Sequence, residues 1–317
     1  MIDDRSIIAP AATLPRVIRE GTLEDVPRAA AMRQRAWPAT IVTAEGMRHD
    51  LESTPERAER VHYAYEEDGE ILGWASAGRS WWQQTPDAGW LGITVEPSRR
   101  GEGIATALAK VADAHLDRLG IRSTRGGSLD EPAARALAAR LGFQELTAST
   151  VSAVDPRTVE RLAVPEGVEL VPFRELDDPR PVYELDMEAS RDIPHEDFET
   201  VELDEWIKEY WKTPIIDQDA SLAAYVDSEL AGVTFIRFDA PSGRAQNNLT
   251  GVRRAFRGRG LAVLMKSHSL RRVAELGATI ALTDNDEGNA PMLAVNTKLG
   301  YRPFSRRLEW ERVRDPR

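Results

Sequence analysis

Cysteine is absent from this chain, which excludes disulfides, thiolate metal sites and a cysteine nucleophile together. Histidine is sparse: His49, His62, His115, His195 and His268 are scattered without the close spacing of a zinc motif, so no metal site is expected. No run of eighteen or more apolar residues occurs, and no membrane-spanning helix is expected. The opening residues, MIDDRSIIAPAATLPRV, lack the basic start and long apolar stretch of a secretory signal, which points to a cytoplasmic protein. A basic excess is missing too: 41 Lys and Arg stand against 52 Asp and Glu, a net charge of −11. Neutralising phosphates takes basic surface, so this balance argues against nucleic acid as a partner and suits a neutral or cationic small molecule.

What is present is enough for two domains of ordinary size, at 317 residues with 42% hydrophobic content. The halves resemble each other. Gly103 and Gly260 lie 157 positions apart, and the Gly142 of "RLGF" and the Gly300 of "KLGY" lie 158 apart. Two landmarks keeping one offset of about half the chain indicate a duplicated domain. A Pro-bearing polar stretch over residues 154–167 marks the seam, giving expected domains at 1–153 and 154–317.

Periodicity predicts the same order of elements twice. In the first half strands fall at residues 16–20, 61–65, 71–77, 90–95 and 121–124, with helices at 23–35, 44–60, 103–119 and 132–141. The second half repeats this with strands at 168–173, 221–227, 230–238, 246–252 and 279–282, helices before Lys212, and helices at 260–276 and 291–299. A terminal strand follows each last helix. The expected class is α/β or α+β, a mixed sheet with helices on its faces.

The recurring device is a strand ending in Val, an Arg, a glycine turn and a helix: "SRRGEGIATALAK" in the first half and "FRGRGLAVLMK" in the second. Free backbone N–H groups at a helix start, with the dipole behind them, attract anions, and glycine lets a phosphate approach without a clash. A tight turn that binds nothing uses the same residues. Neither copy is a P-loop, because no Gly-Lys-Ser/Thr follows, and neither completes GxGxxG.

With the Arg-Gly-x-Gly-(Ile/Leu)-Ala turn after a strand and a later helix ending in Leu-Gly-(Phe/Tyr), each half resembles the GNAT N-acetyltransferase superfamily. The segment "NDEGNAPMLAVNTKLGY" is similar to that family's cofactor-adjacent helix. The arrangement resembles two-domain members of the mycothiol-synthase type. The resemblance implies an acetyl-CoA-dependent N-acetyltransferase that transfers directly to a small, cationic amine in a ternary complex, with no metal, as a monomer or homodimer. It also implies that the cofactor's pyrophosphate rests on the turn: Arg257, Gly258, Arg259, Gly260, Leu261 and Ala262 in one copy, Arg100, Gly101, Glu102, Gly103, Ile104 and Ala105 in the other. The pantetheine arm would pair like an added strand near Leu249, Thr250, Gly251 and Val252, or near Ile93, Thr94 and Val95. Asn285 and Asn289 would border it.

The copies differ at two family positions. Eleven residues before the Gly of the Leu-Gly motif stands Asn289 in the second half and Glu131 in the first; four before it stand Asn296 and Ala138. Many relatives carry a Tyr at the latter position to protonate the departing thiolate. An amide cannot do so, although a thiol of pKa about 8.5 leaves tolerably unassisted. These differences favour the second half as the catalytic one, the first being structural or degenerate. The alternative is a non-catalytic acyl-CoA-binding or regulatory protein with both sites decayed.

A protonated amine must lose a proton before attack, and Asp284 and Asp239, at strand ends, are candidate bases that also suit turns. His195 with Glu196 and Asp197 form a third candidate. Eleven Asp or Glu between positions 184 and 209 form either a field favouring a cationic acceptor or a solvated helix face. Trp206, Tyr210 and Trp211 read as core or pocket lining, and Trp81 and Trp82 as a hairpin at the domain junction.

Overall fold

A computed structural model describes residues 16–81, 83, 85–193 and 201–314. The first half contains β1 (Val17–Glu20), α1 (Val26–Ala36), α2 (Ala44–Ser53), β2 (Val61–Glu67), β3 (Glu70–Arg79), β4 (Ala88–Val95), α3 (Ile104–Arg118), β5 (Ser123–Leu129), α4 (Pro132–Arg140) and β6 (Gln144–Val154). The second contains β7 (Val168–Pro172), α5 (Arg180–Ser190), α6 (Leu203–Trp206) with a wide turn at Ile207–Trp211, β8 (Leu222–Val226), β9 (Glu229–Asp239), β10 (Arg244–Val252), α7 (Leu261–Glu275), β11 (Ile280–Asp286), α8 (Ala290–Lys298) and β12 (Arg302–Val313). The helix expected over 44–60 stops at Ser53, because Pro55 forces Thr54 into an extended conformation.

All twelve strands form one mixed sheet in the order β1-β2-β3-β4-β5-β12-β6-β11-β10-β9-β8-β7. Only β4 with β5 and β10 with β11 run parallel; every other neighbouring pair is antiparallel. Helices cover both faces. In β9, Val233 and Phe235 pack with Val182 and Leu185 of α5, whereas Ile236 packs with Leu270 and Val273 of α7. Covered on both sides, β9 reads as a nearly continuous apolar run instead of an alternation.

The last strands of the halves are exchanged. β12 inserts beside β5, and β6 inserts beside β11. Each half's sheet is therefore completed by the other half's final strand, and the two exchanged strands pair with each other. This explains two strands longer than predicted. The strand expected over 121–124 instead runs through Gly126 and Gly127 to Leu129, because β12 supplies hydrogen-bonding partners from Arg307 to Val313. Gly126 is required there, since a Cβ would lie 2.5 Å from the Leu91 carbonyl oxygen. Likewise the polar Asp284-Asn285-Asp286 belongs to β11 because β6 pairs with it from Ser149 to Val154.

The aromatic residues before β8 form core. Trp206 is fully buried, and Tyr210 and Trp211 pack around the same cluster with Phe173 and Phe235. Trp81 joins that cluster from the first half, placing it at the junction, while Trp82 lies outside the described residues. The indole of Trp206 donates to Asp186 at 2.7 Å, and burial pushes the Asp186 carboxyl up to about 6.

Deleting β12 should therefore unfold both halves. A chain ending at Gly300 is expected to lose the cooperative thermal transition altogether, and limited proteolysis should cut within the first half as readily as the second.

Candidate active site

β10 and β11 pair only from Arg244 to Asn247, after which they separate. The separation is built by a bulge: the register of β10 against β9 shifts between Asn247 and Leu249, leaving Asn248 as the extra residue. Buried Asn247 holds it open. Its Nδ2 donates to Thr234 Oγ1 at 2.8 Å and to the carbonyls of Phe235 and Leu249, and its Oδ1 accepts from Thr250 Oγ1 at 3.0 Å. The gap is a cavity of about 300 Å³ that brings together Leu249, Thr250, Asp284, Asn285 and Asn289. Asn289 also caps α8, accepting from the Met292 N–H. Of the residues expected along this arm, Gly251 and Val252 continue β10.

The first half lacks the bulge, since β3 and β4 pair in unbroken register from Gly73–Val95 to Arg79–Gly89. It still forms a slot of about 330 Å³, lined by Ile93, Thr94, Val95, Arg100, Gly101, Gly103, Ile104, Ala105 and residues of α4.

The glycine turns are alike in backbone and opposite in charge. Gly103 and Gly260 have φ of 88° and 81°, left-handed values that favour glycine, and a Cβ on either would meet nothing within 4 Å. Conformation, not crowding, demands the glycines, and the side facing away from the helix stays open. At the first turn Arg99 is paired with Glu67 and Glu102 at 2.7 and 2.8 Å, and Arg100 with Glu131 at 2.7 Å. Glu131 also lines the slot. At the second turn Arg254 and Arg257 share Asp192, which they hold down at about 2. Arg259 stacks over Phe256 at 5.2 Å with no carboxylate partner among the described residues. Among the described residues, the second turn keeps a positive charge without a carboxylate partner where the first does not.

Between the two openings lies a third cavity of about 290 Å³. It shares Trp37, Ile93, Thr94 and Leu129 with the first slot and Gln246, Asp284 and Arg307 with the second cavity. Asp284 thus faces both polar cavities. Its Oδ2 accepts from Arg307 at 3.2 Å, and its buried Oδ1 has no partner. Arg33, Asp50, Arg60 and His62 line the same cavity. Enclosure by protein raises the Asp50 carboxyl, and burial beside Arg60 and Arg33 lowers the His62 imidazole to about 4, leaving it neutral. Nothing in the sequence pattern joined these four residues, because the cavity needs both halves to close it.

The other candidates lie elsewhere. Asp239 pairs with Arg244 at the hairpin end of β10, on the closed side of the parallel pairing, roughly 16 Å of strand from Leu249. His195, Glu196 and Asp197 lie outside the described residues. Much of the acidic stretch is engaged: Glu205 with Arg57, Asp192 with Arg254 and Arg257, Asp186 with Trp206.

Sequence reading missed Lys266. It lies on α7 in the apolar register of Val263, Leu270 and Val273, 1% exposed, and donates to Asn296 Oδ1 at 2.6 Å. Asn296 Nδ2 in turn donates to Asn285 Oδ1 at 2.5 Å. A lysine in an apolar i, i+4, i+7 register was the available signal. Its ammonium lies 5.0 Å from the Tyr301 ring with no carboxylate partner among the described residues, and burial pulls it down to about 7.

The chain matches the acetyltransferase (GNAT) family over residues 29–143 and again over 181–301, and it belongs to that family as a tandem member. It is an N-acyltransferase. It is 29% identical over 248 residues to a mycothiol acetyltransferase of Nocardia farcinica, covering 76% of this chain and 79% of that one. A mycothiol acetyltransferase of Acidothermus cellulolyticus is 26% identical over 69% of this chain and 70% of its own. Among solved structures, a tandem GNAT protein from the clavulanic acid biosynthesis pathway shares the fold with TM-score 0.74 at 20% identity, over 96% of this chain and all of that one. A GCN5-related N-acetyltransferase from Sphaerobacter thermophilus does so with TM-score 0.71 at 20% identity, over 96% and 98%. Members of the family use acetyl-CoA and act on small molecules. No described helix is long and apolar enough to cross a membrane.

Two measurements check this geometry. Replacing Asn247 by Leu strands the carbonyls and hydroxyls of the bulge and should cost about 2 kcal/mol in urea denaturation. Lys266 also gives stability a pH dependence. Below about pH 7 the native state bears the full cost of a buried ammonium; from there to 10.5 it has shed the proton while the unfolded chain has not. Stability should rise across that window, and Lys266→Met should flatten the rise.

Proposed function

We propose that the protein is an acetyl-CoA-dependent N-acetyltransferase whose second half holds the acyl donor. The cavity beyond the Asn248 bulge carries this reading, because it gathers Leu249, Thr250, Asn285 and Asn289 beside Asp284. The residues fit the cofactor: the open glycine turn and unpaired Arg259 suit its phosphates, and neutral Asn289 stands where the first half has Glu131. When bound, acetyl-CoA supplies an activated acyl carbonyl whose C–S bond breaks, electron pair to sulfur, as the amine nitrogen forms its C–N bond.

The protein's own groups do the rest. Strand backbone along β10 positions the pantetheine arm. Asp284, held at Oδ2 by Arg307 on the wall that both cavities share, takes the amine proton. The acceptor is a small amine, cationic in solution, seated in the middle cavity against Asp284 and Asp50. Arg33, Arg60 and Arg307 share that cavity, which favours an acceptor carrying an anionic group as well.

A second reading, an acyl-CoA-binding protein without turnover, draws on the absence of the family tyrosine from both halves. A thiol-release assay over a panel of amines, with calorimetric titration of acetyl-CoA, separates the two. Gly260→Glu should drop turnover to about 1% or less, through a carboxylate in the phosphate site, while Gly103→Glu keeps it within about threefold. Equal loss from both would place the working site elsewhere; binding without thiol release from any amine would favour the second reading.

A further inference from the structure

The buried chain from Lys266 to Asn285 has a direction that its chemistry fixes. Lys266 donates to the Asn296 oxygen, as an ammonium must and as the neutral amine, with two hydrogens left, still does. The Asn296 NH2 must then face Asn285, whose oxygen accepts it. That leaves Asn285 one orientation, with its oxygen toward Asn296 and its own NH2 outside this chain of hydrogen bonds. Asn285 lines the cavity beyond the bulge, and its Nδ2 has no acceptor among the described residues. A lone asparagine on that wall would be free to present either end.

The first half has no such chain. The positions matching Lys266 and Asn296 there are Ala109 and Ala138, both buried. The duplication therefore carries a costly buried lysine only beside the bulged opening. Asn296 occupies the place where many relatives carry the tyrosine that protonates the departing sulfur. Its amide is spent instead on passing orientation from α7 to β11.

We propose that Lys266 is a positioning residue that, through Asn296, locks the Asn285 amide with its N–H aimed at the cofactor's sulfur, so that a hydrogen bond to the departing thiolate replaces proton transfer from a tyrosine. The C–S electron pair stays on sulfur, held by Asn285 until the thiolate takes a proton from water, while the amine proton leaves through Asp284. This rests on the second half being the donor site. A hydrogen bond to an ionised sulfur is charge-assisted and stabilises that form over the thiol. The bound thiol is therefore more acidic than the free one.

The test reads the ionisation of CoA itself, with no acceptor present. The ultraviolet absorbance of the thiolate is titrated for CoA bound to the full-length protein and to its Gly260→Glu, Lys266→Met, Lys266→Gln and Asn285→Asp variants. The parent should lower the bound thiol's pKa by about one unit. Lys266→Met frees the amides to flip and should return most of that shift, with kcat falling about tenfold and the KM for acetyl-CoA changing less than about twofold. Lys266→Gln can either donate to Asn296 or accept from it, so it should hold only part of the shift. Asn285→Asp accepts from Asn296 but has no hydrogen to give, so it should lose the shift even if Lys266→Met fails to fold. A shifted thiol surviving in Gly260→Glu would overturn the donor-site reading. A shift that needs Gly260 but ignores both Lys266→Met and Asn285→Asp, or the absence of any shift in the parent, would overturn this inference alone.

Discussion

The pairing of β6 with β12 is the interaction on which the rest of the molecule depends. It is the only ladder in which the two exchanged strands meet, and it converts two half-sheets into one continuous sheet of twelve strands. Because β6 also pairs with β11, the first half's own chain forms one wall of the second half's opening. Because β12 carries Arg307, the second half's last strand brings a guanidinium to the middle cavity and to Asp284. Smaller contacts across the junction, such as Thr40 with Gln246 at 2.9 Å and Arg306 with Asp130 at 2.9 Å, add to a geometry the strands have already set. The active region is thus a property of the joined sheet and of neither half separately.

On that shared scaffold the two openings have diverged through a handful of residues. A bulge needs one extra residue and a partner for the polar groups it strands; Asn247 supplies the partner in β10, and β4 never acquired the bulge. Charge at the glycine turns separates them further, since Glu102 and Glu131 absorb the arginines of the first turn while Arg259 remains uncommitted at the second. The first half nevertheless kept its slot and its left-handed glycine. A turn that must reverse the chain into α3 needs that conformation whether or not a phosphate ever rests on it.

Local features were readable from the sequence and non-local ones were not. The glycine turns, the order of elements and the core helices follow from periodicity and punctuation within a few residues of chain. Both helices after the turns begin within a residue of expectation, because a glycine at φ near 80° is a local constraint. The ends of β5 and β11 were out of reach, since polar or glycine-rich segments become strands only when a partner from the other half lies alongside. The same holds for the middle cavity, whose Arg33, Asp50 and Arg60 come from elements with no shared motif. Asp284 was chosen for its place near a strand end, yet it lies within β11 and lines two of the cavities. Lys266 stood in plain view as a charge in an apolar register, and its meaning appeared only with Asn296 and Asn285 beside it.

The exchange of final strands also governs how the chain can be made. During synthesis β5 emerges early, yet the strand that completes it begins 302 − 129 = 173 residues later. At ordinary translation rates its hydrogen-bonding edge waits on the order of ten seconds or more for β12. Through that interval the β5 segment lacks its partner, and another nascent copy, or its released β12, offers the same hydrogen bonds. Arg125 within β5 and the near-apposed Gly126 and Gly127 make that edge charged and poorly sticky, so the residues that blur the strand in the sequence also guard it while it waits.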